Sequence, residues 1–303
     1  MSRRSVVLDT VPRLGGLYAA ALANQTASRV RARLDARPVG ALALPDLEYR
    51  VGGVRADPVR LLAYQRLMGD TVRDVLPSVL VHGMVFPVAM SVLADRAFPL
   101  PLLGMVHLAN EVEHRRAIAS DELLDARAWT QNLRPHHAGT QFDVVCEVSA
   151  AGALAWRGVS TYLAKGVWDG PRPQRPEREA EAELPLRTAV WRLGSDVGRR
   201  YAGVLGDYNP IHLGKLPARA LGIKRHIAHG MYLAGRALAA TAPHDGGYAW
   251  SINFEAPVFL PGTVQFGVEE DDAGSRFVGW HEKTSKRHFS GSVRPVTRGW
   301  EAP

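Results

Sequence analysis

Cysteine is nearly missing from this 303-residue chain, which holds only Cys146. One thiol cannot close an internal disulfide, so the composition suits a reducing compartment, and we expect a cytoplasmic protein. Cys146 lies in a strand-like pattern and belongs in a core. No apolar run approaches the length of a membrane-spanning helix. We expect no targeting signal either. Ser2-Arg3-Arg4-Ser5-Val6-Val7-Leu8 begins like a twin-arginine signal, but Asp9, Pro12 and Arg13 break the apolar stretch it needs. The formal charge of +7 comes without a nucleic-acid motif or a basic stripe interleaved with aromatics, which argues against a nucleic-acid partner. Eleven histidines include His226-x-x-His229 and His136-His137, yet they lack cysteine companions and carboxylates at ligand spacing. We therefore expect no metal and no cofactor.

What is present is a repeat. Length alone suggests about two domains, and 46% apolar residues can fill two cores. In the first half Tyr64 to Gly69-Asp70 is followed by Val81-His82-Gly83-Met84 and an apolar run to Ala94. In the second, Tyr201 to Gly206-Asp207 is followed by Ala228-His229-Gly230-Met231 and a similar run. Each copy is preceded by a strand-like segment (47–51, 189–193) and followed by another (106–112, 251–255). Further β-branched and aromatic enrichment marks 141–148, 155–162, 263–269 and 276–281 as strands. Helix-then-strands, twice, predicts an α+β protein. We divide it into residues 1–165 with an N-terminal extension, a proline-rich linker over 166–185, and residues 186–303. Residues 15–34 form a candidate amphipathic helix with Arg29, Arg31 and Arg33 on its polar side.

The second copy carries the chemistry. Asn209 is a good helix N-cap and Pro210 suits the first helical position, so His212 falls in the first turn with Asp207 just before it. A carboxylate and an imidazole on one tight turn can hold a water and move its protons. Gly230 opens the next apolar run, where an uncapped amide at a helix N-terminus can stabilise an oxyanion. Together these are the parts needed to add or remove water beside a thioester carbonyl.

Residues 201–231 resemble the signature of the MaoC-type hydratases, the (R)-specific enoyl-thioester hydratases and 3-hydroxyacyl-thioester dehydratases. Gly206-Asp207, Asn209-Pro210-Ile211-His212, Ala218, Gly222-Ile223 and Ile227-Ala228-His229-Gly230-Met231 carry the likeness without a gap. The resemblance implies a double hot-dog fold, two repeats each with an antiparallel sheet wrapped around a long central helix. It also implies that Asp207 and His212 hold the catalytic water and that the Gly230 amide donates to the thioester oxygen. Asn209 would brace the turn, His229 would support the oxyanion helix, and Tyr201 would assist. Leu205 and Gly214 depart from the family pattern, which usually has a small residue and an acidic one there.

The first copy is shorter. Asp70 and His82 are 12 positions apart, whereas Asp207 and His229 are 22 apart, and the missing ten residues include Asn-Pro-x-His. One active site is expected, in the second copy, with Asp70 capping a turn. The resemblance suggests that the degenerate copy makes room for a long acyl chain. Met84, Phe86 and Met90 suit either that groove or a helix core. Lys215, Arg219, Lys224 and Arg225 flank the active-site elements and suit the phosphates of coenzyme A or the acidic surface of an acyl carrier protein. Two alternatives stay open, a hot-dog thioesterase and a noncatalytic acyl-thioester-binding subunit. A fused pair of repeats can stand alone or form a homodimer.

Overall fold

Strands dominate because β-branched and aromatic residues recur with alternating burial, as in Leu124–His136 and Gly139–Ala150. The computed structural model describes residues 3–18, 42–102, 104–175, 183–243 and 246–296. Among them the first half supplies β1 (Arg4–Leu8), β2 (Leu47–Val54), β3 (Val106–His114), β4 (Leu124–His136), β5 (Gly139–Ala150) and β6 (Ala153–Lys165). The second supplies β7 (Ala189–Leu193), β8 (Tyr248–Phe254), β9 (Gly262–Asp271), β10 (Gly274–Trp280) and β11 (Arg287–Pro295). All eleven form one sheet in the order β1-β2-β4-β5-β6-β3-β8-β11-β10-β9-β7. Neighbours run antiparallel, except that β1 lies parallel on β2. The two halves meet where β3 pairs with β8, from Ala109↔Asn253 to His114↔Tyr248.

Besides a helical stretch over 14–18, six helices with both ends among the described residues accompany the sheet: α1 (Pro58–Met68), α2 (Ser78–Ala94), α3 (Val197–Leu205), α4 (Pro210–Leu213), α5 (Lys215–Ala220) and α6 (Gly230–Thr241). The sequence of α2 is apolar on every side, and it is buried on every side, packed against β2, β4, β5 and β6. In the second half α6 takes the corresponding place. Gly230 lies against the Phe254 ring of β8, and the Arg236 guanidinium sits 4.6 Å over the Trp191 ring of β7. Each half is thus a sheet wrapped around its helix, the expected double hot-dog. Ser78, at the start of α2, ties the halves together. Its buried Oγ accepts the indole N–H of Trp156 from β6 and of Trp250 from β8, both at 2.8 Å. Burial of these indoles demands such a partner.

The strand segments expected from sequence all lie on strands, with ends differing by a few residues. The sequence did not mark β1, β4 or β11. The segment that opens like an export signal is strand β1. Met84 and Met90 are core residues, while Phe86 is partly exposed and stacks on His82 at 5.6 Å between centroids. The helix expected over 15–34 lies outside the described residues beyond position 18, including Arg29, Arg31 and Arg33. Residues 176–182 of the expected linker lie outside them too.

Candidate active site

The site starts from a change of chain direction. Helix α3 ends at Gly206, whose φ of 80° is readily adopted only without a side chain. Asp207 follows, and its Oδ1 accepts the Asn209 N–H at 3.3 Å. Asn209 caps α4 by accepting the Ile211 N–H at 3.4 Å, with Pro210 in the first turn as expected. His212 is then buried one turn further on. Its Nδ1–H donates to the Ile227 carbonyl at 2.8 Å. That bond fixes the tautomer and leaves a lone pair on Nε2. Ile227 is itself fixed by donating its N–H to Ile211 at 3.1 Å and by a bridge to Phe259. Gly198 of α3 permits this packing, because a Cβ there would strike the His212 carbonyl.

His229 closes the arrangement. Its ring stacks on His212 with centroids 3.7 Å apart, and Tyr201 lies 4.6 Å away on centroids. His229 Nε2–H donates to the Asp207 backbone carbonyl at 3.1 Å and stands 3.8 Å from Asp207 Oδ2. Burial lowers the pKa of both imidazoles. For His212 the Asp207 carboxylate opposes that shift, and for His229 the neighbouring His212 adds to it. Both rings are therefore neutral at neutral pH. Gly230 is the first residue of α6, and His229 offers no side-chain cap to that helix. Its amide thus lies at the positive end of the dipole. A Cβ at 230 would come within 2.8 Å of the Phe254 ring.

The turn thus brings together Asp207, Asn209, His212, His229, Gly230 and Tyr201. The four basic candidates stay outside this cluster. Lys215, Arg219, Lys224 and Arg225 are exposed on α5 and the following turn. Arg225 donates to the Pro261 carbonyl at 2.7 Å and lies 5.9 Å from the Phe259 ring. Among the described residues no three histidine, cysteine, aspartate or glutamate side chains gather as metal ligands. His226 donates instead to the Ser195 carbonyl at 3.0 Å.

Sequence reasoning missed several residues of this site. Tyr18, from the N-terminal extension, donates its hydroxyl to Asp207 Oδ1 at 2.9 Å. Tyr162 of β6 is close enough that the Asp207 charge helps burial to raise its pKa. His107 of β3 stacks on Tyr162 at 4.7 Å and lies 5.1 Å from Phe254. The contacts of Tyr18 and Tyr162 with Asp207 and of His107 with Phe254 cross from the first half to the second, and no local pattern announces them. Only Gly198 left a trace, as a glycine inside a helical pattern.

The first copy looks different. Asp70 sits in a turn, accepting the Thr71 N–H at 2.7 Å and pairing with Arg73. Helix α2 has already begun at Ser78, so His82 and Gly83 lie inside it. A Cβ on Gly83 would overlap the Leu205 side chain. Leu205, one of the two departures from the family pattern, is thus the residue that fills the Gly83 notch.

The MaoC-like domain family matches residues 172–290, which span α3 to α6 and every site residue of the second half. A curated relative, 3-hydroxyacyl-thioester dehydratase X of Mycobacterium tuberculosis, is 32% identical over 232 residues, covering 76% of this chain and 83% of the relative. The crystal structure of that organism's HtdX superposes with a TM-score of 0.73 at 30% identity, covering 82% of this chain and 100% of its own. A MaoC-like dehydratase from Phytophthora capsici superposes at 0.65 with 17% identity, over 83% of this chain and 95% of its own, a likeness of fold. With so much of the sequence shared, and a domain match that encloses the Asp207 turn and the start of α6, the chain belongs to the MaoC-like dehydratase family.

Proposed function

We propose that the protein hydrates trans-2-enoyl thioesters to (R)-3-hydroxyacyl thioesters and catalyses the reverse dehydration. The observation that carries this reading is a neutral His212 whose Nε2 keeps its lone pair, within the field of the Asp207 carboxylate and beside the uncapped start of α6. In the hydration direction one water is held between carboxylate and imidazole. Its oxygen bonds to C3 of the enoyl group while the pair takes one of its protons. Charge moves to the thioester oxygen, where the Gly230 amide donates to it. The pair then returns the proton to C2, so atoms and charge balance and no cofactor is needed. The two groups share one proton inventory and act as a unit. The name of the Mycobacterium relative supports the dehydratase direction.

In this reading residues 186–303 carry the chemistry and residues 1–165 shape the acyl side. His107 and Tyr162 of the first half, with Phe254, offer an aromatic wall next to the site. The exposed cations Lys215, Arg219, Lys224 and Arg225 meet the phosphates of coenzyme A or an acidic carrier protein. The test uses crotonyl and long-chain enoyl thioesters on both carriers, following loss of the enoyl absorbance. Asp207→Asn and His212→Ala are each expected to lower turnover by roughly 10²–10⁴-fold with the fold intact. Free thiol release in place of enoyl loss would make the protein a thioesterase. Tight binding without conversion in either direction would make it a binding subunit.

A further inference from the structure

We infer that Tyr18 is a positioning residue for the reaction, its hydroxyl holding Asp207 so that the second carboxylate oxygen faces the histidine pair. This inference rests on the proposed hydration chemistry. Asp207 has two oxygens with different surroundings. Oδ1 accepts both the Tyr18 hydroxyl at 2.9 Å and the Asn209 N–H at 3.3 Å. Oδ2 has His229 Nε2 at 3.8 Å, too far for a hydrogen bond. Two donors on one oxygen set the rotation of the carboxylate about its last bond. Oδ2 is left for a water shared with His212. Asn209 alone cannot impose that orientation, since its backbone N–H is long and belongs to the same turn.

The phenol is well suited to the task. Burial, then the neighbouring carboxylate, raises its pKa far above the usual range, so it stays a protonated donor throughout the working pH range. Its placement is also built in. Leu14, one turn earlier, is buried in the core, and Leu17 packs against the same core. Upstream, β1 is paired along β2 of the first half. Downstream, the Leu42 N–H donates to Asp169 Oδ2 at 2.9 Å, just beyond β6. The extension is anchored on the first half and reaches the carboxylate of the second. The two halves thus share the site through a hydroxyl that neither hot-dog repeat itself provides.

The test is Tyr18→Phe, which keeps the ring and its packing and deletes one oxygen. A donor to a charged group that sets catalytic geometry is worth about tenfold in rate. We expect kcat to fall about 10-fold, with KM within about twofold and the melting temperature unchanged. The same substitution made in Asp207→Asn should cost much less, because the hydroxyl acts through the carboxylate. Wild-type kcat in Tyr18→Phe overturns the inference and leaves the hydratase reading standing. Raised kcat also overturns it, since the phenol would then be obstructing the site. A full tenfold loss on top of Asp207→Asn assigns the hydroxyl a role elsewhere and overturns it as well. A wild-type protein that converts no enoyl thioester overturns both readings together.

Discussion

Both halves carry His-Gly-Met, and the two copies do opposite things. In the second, Gly230 is the first residue of α6, so its amide lies at the uncapped positive end of a helix. In the first, α2 begins five residues earlier at Ser78, and the Gly83 amide lies inside the helix. The same tripeptide therefore offers a donor in one place and a notch in the other, and Leu205 of the second half fills that notch. The start of α2 is occupied as well. Ser78 Oγ accepts two indoles, and Tyr248 lies close enough to Ser78 for its polar groups to act on the phenol. A helix N-terminus becomes a site only if nothing in the fold satisfies it first.

The sharpest way to break this contrast is to delete the histidines in turn. His212→Ala should cost about 10²–10⁴-fold in kcat. His82→Ala should leave kcat within about threefold and cost about 2–4 kcal/mol of stability through the cavity it opens. Equal losses of turnover would mean that the first half takes part in the chemistry. Next come the glycines. Gly230→Ala forces its methyl onto Phe254 and should lower kcat by about 10²-fold, the scale of a 1 Å misplacement. Gly83→Ala overpacks against Leu205 and should cost about 1–3 kcal/mol, read as a lowered urea midpoint. Adding Leu205→Ala should restore most of that midpoint, because the second change empties the space the first one needs. No recovery in the pair would mean that the notch is not what Gly83 is for.

These contrasts also mark what the sequence could reveal. The Asp207–His212 turn was legible because its determinants are local: an αL glycine, an Asx cap and a proline at the first helical position. The loss of a His212 counterpart was legible from spacing alone. The position of Gly83 within α2 was not, although Pro77-Ser78 stands at the true start, because an apolar run does not say where its first turn begins. Tyr18 was not legible either. Its partner is 189 residues away, and a lone tyrosine in an extension carries no periodic signal. The pairing of β3 with β8 had the same cause, being a match between strands that read alike in isolation.

More diffuse is the effect of acid. Burial pushes His82 and His114 down to about 4, below the usual value near 6.5. The unfolded chain therefore takes up protons first as pH falls. Stability is full above pH 6.5 and declines through the window down to about 4, by about 1.4 kcal/mol per pH unit for each histidine. The urea midpoint should drop steeply in that range. His82→Leu should reduce the slope by one proton's share, and an unchanged slope would mean that His82 is not buried neutral.

The smallest effect expected belongs to the basic rim, and it too separates the halves. The ten extra residues of the second copy supply α4 with His212 and continue into α5 with its cations. The first copy, running from the Asp70 turn into α2, has no such excursion. Lys215, Arg219, Lys224 and Arg225 are exposed, so each acts through a screened charge worth at most about 1 kcal/mol. Replacing any one by Gln should raise KM for a coenzyme A thioester about twofold at low salt. Arg225 is the exception in kind, since its loss also frees the Pro261 carbonyl near the Ile227–Phe259 bridge. Salt should weaken the effect of the first three, as expected for solvent-exposed charges. A pantetheine thioester, which lacks the nucleotide phosphates, should show no change. If the fourfold variant binds coenzyme A thioesters as the wild type does at low salt, the cations face solvent alone and do not recognise the carrier.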